Sequence, residues 1–334
     1  MSPHQVTIKD VAVRAGVSRA AVSLAVHGKP GISAPTRARI LAAAGALGWQ
    51  PAPGHPETGT IGFVIRRPAH QLGLEPFYME FISGLQSEVS ARSGALLLRL
   101  VRTLDEEIDL QRHWWRTRRI AGSVLVDFRA YDPRGPLLAR IGLPAVAVAH
   151  PSLTGPFPAL WTDDAAAVRA AVRYLAALGH RAIARVGGAP DLGHSTIRRA
   201  AFRAAMREAG LDADRQRDTD FSGAAGARAT RSLLTAERPP TAIVYDNDLM
   251  AVAGLSVAAE LGLRVPADLS LLAWDDSQLC RLTHPALSAM SHDIHAFGAE
   301  VARALYGVLA GDRLAARPVP TPTLIPRGST APPG

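Results

Sequence analysis

The chain has 334 residues, of which 48% are hydrophobic and 20% are charged, so it is long enough for two or three cores and has the composition of a folded protein. It contains no apolar run of about eighteen residues and no apolar segment near its start, so we expect a cytoplasmic protein without a membrane span or secretory signal. The single cysteine, Cys280, excludes an internal disulfide and any CxxC metal or redox site.

Positive charge is concentrated at the N-terminus. The formal net charge is +8, and residues 1–50 carry six basic side chains against one acid, Asp10 (6 − 1 = +5). The other 284 residues therefore share only +3 (8 − 5). A basic segment on a nearly neutral body is typical of a nucleic-acid-binding head, although an ordinary solvated surface could carry the same charge.

The first 50 residues have the pattern of three short helices. Thr7 begins an S/T-x-x-D/E spacing that starts a helix, and Gly16 ends it. Ser18 can cap a second helix after a tight turn, and Ser33 can begin a third. We therefore predict an all-α helix-turn-helix head over residues 1–50.

The rest of the chain alternates between short apolar runs and amphipathic stretches. Runs such as IGFVI, ALLLRLV, RAIARVGG and TAIVYD predict buried parallel strands, with helical patterns between them. Two such series predict an α/β core of two doubly wound parallel-sheet subdomains that face a cleft. The predicted boundaries are a linker at 51–60 and a core at 61–330, divided into an N-terminal subdomain (61–161 and 292–321) and a C-terminal subdomain (162–291 and 322–330).

Several segments resemble one protein family. The runs TIKDVAVRAGVSRAAVS and SAPTRARI resemble the head of the LacI/GalR family of bacterial transcription regulators. The runs PTAIVYDNDLMAVAGL and LRVPADLSLLAWDDS resemble its effector-binding core, which is related to periplasmic sugar-binding proteins. The resemblance covers nearly the whole chain. It implies a nucleoid-associated regulator, usually a repressor, that binds a palindromic DNA operator as a homodimer and responds to a small molecule.

The resemblance also assigns a DNA-binding surface. In this family the second helix enters the major groove, and polar side chains around it hold phosphates. Arg19 would face base edges, where a bidentate contact to guanine discriminates by about 1–3 kcal/mol. Leu24 and Ala20 could each touch a thymine methyl. Leu24 could instead pack against the third helix. The remaining residues assigned to this surface are Thr7, Ser18, Ser23, His27, Ser33 and Thr36.

For the ligand, the resemblance implies a site between the subdomains at the carboxyl ends of the strands. It assigns ligand contacts to Arg198, Asn247 and Asp275, although a salt bridge or a helix cap would explain the same residues. The other residues assigned to this site are His292 and three aromatic residues that could equally belong to the core, Phe77, Tyr78 and Phe221.

Two departures from the family pattern leave the ligand open. Ala149 and His150 stand where the family usually has an acidic and a basic residue, and Asp164 replaces a usual asparagine. A sugar is the expected effector, and a purine, another metabolite or no ligand at all are the alternatives.

The sequence offers little for catalysis. It contains no GxSxG, GxxxxGK or HExxH motif, and the two histidines of HDIH have no third metal ligand nearby. We therefore expect no enzyme, no cofactor and no metal site. The alternative to a regulator is a ligand-binding protein that keeps a vestigial DNA-binding head.

The linker segment GWQPAPGHPETGTIGF is rich in proline and glycine. Only nine residues separate Pro51 from Ile61, and none of them is leucine. The family usually has a longer segment here, with a hinge helix whose leucine kinks the operator centre. We predict that this hinge helix is lost and that central kinking is weak.

Overall fold

A computed structural model describes residues 7–26, 31–47, 49, 59–68 and 75–334. The predicted DNA-binding residue His27 and the linker residues 51–58 lie outside these ranges, so the predictions made for them stay predictions.

The N-terminal head consists of the three predicted helices α1 (Ile8–Ala15), α2 (Arg19–Val26) and α3 (Ala34–Ala46). Both the N–H and the hydroxyl of Thr7 donate to the Asp10 carboxylate, at 2.8 and 2.7 Å, which fixes the start of α1. The helices share a small core in which one side chain from each is fully buried, namely Val11, Val22 and Ile40.

The first sheet of the core is parallel throughout and has the strand order β11-β5-β4-β3-β1-β2. Its strands are β1 (Ile61–Arg66), β2 (Leu96–Val101), β3 (Gly122–Leu125), β4 (Ala145–Val148), β5 (Ala159–Trp161) and β11 (Arg317–Pro318). The associated helices are α4 (Pro76–Ala91), α5 (Leu104–Arg116), α6 (Arg134–Arg140) and α12 (Ile294–Ala310).

The second sheet has the order β12-β10-β9-β8-β6-β7, with only the β10–β12 pair antiparallel. Its strands are β6 (Ile183–Gly187), β7 (Gln216–Asp218), β8 (Ala242–Tyr245), β9 (Ser270–Trp274), β10 (Ser288–Ser291) and β12 (Thr323–Ile325). The associated helices are α7 (Asp164–Ala177), α8 (Gly193–Glu208), α9 (Gly223–Leu234), α10 (Asp248–Glu260) and α11 (Gln278–Leu282). The two sheets confirm the predicted fold class of two doubly wound subdomains.

The chain crosses between the two sheets after β5, after β10 and after β11. The strands that the chain leaves at these crossovers, β5, β10 and β11, lie at or next to one edge of their sheets. The carboxyl ends of the parallel strands on both sides face a cleft, which is where doubly wound folds bind ligands.

Helices α4 and α12 cross at two glycines. A Cβ atom on Gly84 would lie 2.0 Å from the carbonyl oxygen of His295, and one on Gly298 would lie 2.2 Å from that of Phe81. Neither position has room for a side chain, so the two helix backbones are in direct contact. Among the described helices, none is long and apolar enough to cross a membrane.

Candidate functional site

The predicted DNA-binding residues form an exposed surface around α2. Arg19, Ala20 and Ser23 are exposed, whereas Leu24 is half-buried. The Ser18 hydroxyl accepts a hydrogen bond from the N–H of Ala21 at 3.1 Å and so caps α2.

The other polar residues assigned to this surface also cap helices. The Ser33 hydroxyl contacts the Thr36 hydroxyl at 2.9 Å and accepts from the Thr36 N–H at 3.4 Å at the start of α3. The exposed Thr7 has the same position at the start of α1. Helix N-termini are favourable places for phosphate groups, so a capping role and a phosphate contact are compatible at these residues.

A cavity lies in the cleft between the two subdomains and encloses about 1030 Å³ of empty space, including the solvent at its mouth. The seven residues predicted to contact a ligand all line it: Phe77, Tyr78, Arg198, Phe221, Asn247, Asp275 and His292.

Arg198 is held rigidly at the C-terminal wall of the cavity. Its Nε donates to the Asp164 carboxylate at 2.8 Å, and its NH1 donates to the carbonyl oxygen of Asp246 at 2.9 Å. The guanidinium carbon lies 4.2 Å from the ring centroid of Trp274. Asp164, which replaces the family asparagine, is therefore a partner of Arg198, and the arginine keeps its NH2 group for a ligand.

Asn247 links two other parts of the same wall. Its Oδ1 accepts from the Met250 N–H at 2.9 Å and caps α10, and its Nδ2 donates to the Phe221 carbonyl at 2.9 Å. Phe221 has a left-handed backbone with φ of 68°. A Cβ atom on Gly188 would lie 1.8 Å from the Phe221 ring, so Gly188 makes room for the aromatic side chain.

Asp275 follows β9 directly and has a left-handed φ of 75°. Among the described residues, none donates a hydrogen bond to its carboxylate. Burial raises the pKa of Asp275 well above its ordinary value, and this effect is opposed by Arg198 and reinforced by the carboxylates of Asp248 and Asp164. The raised pKa favours the protonated carboxyl group, which can both donate and accept a hydrogen bond.

The N-terminal wall is a connected polar network. Arg67 donates to Glu75 and to Asp127, both at 2.9 Å, and the buried Tyr78 hydroxyl donates to Asp127 at 2.8 Å. Burial alone would raise the pKa of Asp127, but Arg67, His194, the Tyr78 hydroxyl and Arg66 together outweigh this effect, and the pKa falls to about 2. Burial raises the pKa of Tyr78, so its hydroxyl remains a donor. Phe77 stacks on Phe81 at 5.8 Å.

His292 lies where the chain crosses back to the first sheet. Both its ring nitrogens are buried without a hydrogen-bond partner among the described residues. Burial and the neighbouring Arg198 lower the pKa of His292 to about 4, so the ring is neutral at pH 7. A neutral imidazole offers a ligand one donor and one acceptor.

The structure places further residues in the cavity that the sequence patterns did not identify. They include Arg67, Asp127, Trp161, His194 and Asp248. His150, at one of the departures from the family pattern, packs edge-on against Trp161 at 4.6 Å and also lines the cavity. In the described part of the chain, no group of three or more His, Cys, Asp or Glu residues is placed to hold a metal ion.

Two family models match the chain. Residues 7–52 match the bacterial regulatory proteins of the lacI family, and residues 172–330 match the periplasmic binding protein-like domain.

Individual relatives match over most of its length. An uncharacterized HTH-type transcriptional regulator in the aml 5' region of Streptomyces limosus is 32% identical over 99% of this chain and 96% of its own. The crystal structure of a LacI family transcriptional regulator from Bifidobacterium animalis subsp. lactis is 39% identical, with a TM-score of 0.76 over 83% of this chain and 99% of its own. A complex of the transcriptional regulator CelR with cellobiose is 28% identical, with a TM-score of 0.75 over 97% of this chain and 100% of its own.

Proposed function

Because the chain belongs to the LacI family of bacterial transcriptional regulators, we propose that it is a cytoplasmic, nucleoid-associated repressor controlled by a sugar. The family consists of DNA-binding regulators rather than enzymes. The observation that supports ligand control is the convergence of the seven predicted contact residues on one cavity between the subdomains.

The charges of the cavity support an effector without negative charge. Acidic side chains outnumber basic ones among the described lining residues, with Glu75, Asp127, Asp164, Asp246, Asp248 and Asp275 against Arg67 and Arg198, and Asp246 pairs with Arg185 behind the lining. Arg67 and Arg198 already pair with carboxylates, so neither is a free cation for an anionic ligand, whereas sugar hydroxyls can donate to and accept from the acidic side chains. The cellobiose bound by the relative CelR agrees with this choice.

Binding to a palindromic operator as a homodimer follows from the geometry of helix-turn-helix proteins. Two copies related by a two-fold axis present two reading helices to two half-sites about one helical turn apart. In each copy the exposed Arg19 would contact base edges, and the helix-capping hydroxyls would contact phosphates. We assign the head to residues 1–50 and the core to residues 61–330.

Residues 51–60 join the head to the core and are shorter than the segment that the family usually has there. A segment this short without leucine supports a loss of the hinge helix, so that subdomain closure would alter the spacing of the two heads without a minor-groove wedge. A DNA complex with an ordered helix between Pro51 and Thr60 at the operator centre would overturn this assignment.

The test is a selection of genomic DNA fragments by the full-length protein at near-physiological salt, with and without cellobiose. We expect enrichment of one palindromic sequence over bulk DNA and a change of that enrichment with the sugar. A sugar phosphate serves as the anionic control and should have no effect. If no sequence were enriched, the regulator proposal would fail, and the alternative of a ligand-binding protein with a vestigial head would stand.

A further inference from the structure

The two subdomains touch directly at a second place, away from the crossovers. The N–H of Gly193 donates to the carbonyl oxygen of Phe128 at 2.7 Å, and Arg129 forms an isolated antiparallel bridge with Leu192. The Arg129 guanidinium also pairs with the Asp191 carboxylate at 2.7 Å. We call this contact, together with Leu153 that packs onto Gly193, the cleft seam.

The cleft seam lies across the cavity from the crossovers. Phe128 follows β3 and Gly193 follows β6, and both strands lie farther from the crossover edges than β5 and β10 do. The cavity is lined by Thr162 and His292 near two crossovers and by Phe128 on the seam. Two units joined by a few chain segments open and close about those segments, so a contact on the far side of the cavity from the crossovers has the longest lever arm.

The fit of the seam depends on the missing side chain at position 193. A Cβ atom there would lie 2.2 Å from Cδ1 of Leu153 and 3.1 Å from the Phe128 carbonyl oxygen. Gly193 is the first residue of α8 and has no left-handed φ, so the helix itself does not require glycine at this position. A side chain here would press on Leu153 and on the Phe128 backbone, so glycine favours the close approach of the opposite subdomain.

We propose that the cleft seam is a latch that holds the two subdomains closed over the cavity, and that Gly193 is the residue that permits this closure. The inference rests on the proposed function, because closure matters through the effector. The Arg129–Asp191 pair is partly exposed (38% and 50%) and contributes little. The backbone contacts, namely the Gly193–Phe128 hydrogen bond and the Arg129–Leu192 bridge, carry the latch.

The latch has a direct effect on the cavity. Helix α8 begins at the seam and carries His194 and Arg198, which both line the cavity. His194 is also close enough to Asp127 on the opposite wall for the two to interact electrostatically. Closing the seam therefore sets how far these side chains of the C-terminal wall lie from the N-terminal wall.

The latch can be tested by measuring the distance between the subdomains in the full-length protein. Spin labels on Arg140→Cys and Ala200→Cys report this distance by pulsed electron paramagnetic resonance, since both positions are exposed and the native Cys280 is fully buried. We expect Gly193→Val to lengthen the distance within each subunit. The matched control is Gly223→Val, because Gly223 also begins a helix and its Cβ would lie 3.5 Å from the nearest atom, an ordinary contact.

A rescue variant distinguishes an opened cleft from a misfolded protein. Gly193→Ala alone should also lengthen the distance, and adding Leu153→Ala should restore it, because the second change removes the atom that the new Cβ would meet. Circular dichroism confirms that each variant is folded. Distances in both Gly193 variants equal to that of the parent would overturn the latch. The measurement needs neither DNA nor sugar, so its failure is distinct from a failure of the proposed function.

Discussion

Replacing Arg198 with alanine removes three buried contacts at once, those with Asp164, the carbonyl oxygen of Asp246 and the Trp274 ring. The side chains of Arg198 and Asp164 are only 10% and 9% exposed, so the variant leaves a buried carboxylate without its cation. Breaking such a pair costs about 3–5 kcal/mol, to which the lost cation–π contact adds about 1 kcal/mol. We expect Arg198→Ala to lower the free energy of unfolding by about 4 kcal/mol.

The assay is urea unfolding followed by circular dichroism. Arg199→Ala is the matched control, because the neighbouring arginine pairs with Asp218 at a more exposed site (29% and 34%) and should cost at most about 1 kcal/mol. The double variant with Asp164→Asn should recover about 2 kcal/mol as a coupling energy. If Arg198→Ala were no more destabilising than Arg199→Ala, Arg198 would not be held as described.

A charge-conserving change separates this structural role from ligand binding. Arg198→Lys keeps the positive charge next to Asp164 but loses the planar fork that could hold a second partner. We expect it to retain more stability than the alanine variant and to bind the effector as weakly as that variant does. Isothermal titration with an effector found by the selection measures this, and wild-type affinity in Arg198→Lys would exclude a ligand contact by the fork.

Three further outcomes are expected. Arg19→Ala should weaken operator binding by about 1–3 kcal/mol and relax the preference at one base pair, as measured by titrating operators with single substitutions. The pKa of His292 is about 4 in the folded protein and about 6.5 in the unfolded chain, so protonation of the unfolded chain lowers the free energy of unfolding as the pH falls from 6.5 towards 4. The loss of that free energy between pH 7 and pH 5 should therefore be about 2 kcal/mol smaller in His292→Asn than in the parent protein. Gly188→Ala should cost about 2 kcal/mol in urea unfolding because its Cβ collides with Phe221, whereas Gly45→Ala, with nothing within 4 Å, should be neutral or stabilising.

The sequence predicted the longer elements well and the short ones poorly. The strands over IGFVI and TAIVYD are continuous apolar runs, and the structure has them as β1 and β8. Strands β5, β7, β11 and β12 have only two or three residues, which is too short for a periodic pattern. They exist because neighbouring strands pair with them, and that information is not local.

Cavity residues too were predictable where the sequence signal is local and were missed where it depends on distant residues. Asn247 and Asp275 were predictable because they follow apolar strands whose carboxyl ends meet at one edge of a parallel sheet. Arg67 and Asp127 were missed because their place depends on contacts between distant residues and, for Asp127, on a left-handed φ of 53°. The polar network of the N-terminal wall has no signature of its own in the sequence.

The glycine crossing of α4 and α12 limits how a ligand signal can travel. The first turn of α4 carries Phe77 and Tyr78, and α12 starts two residues after His292, so one helix pair holds cavity residues from two separate stretches of the chain. Because backbone meets backbone at Gly84 and Gly298, no side chain lies at the crossing point itself that could repack there. A shift of one helix at this point would press directly on the backbone of the other, so we expect α4 and α12 to move together.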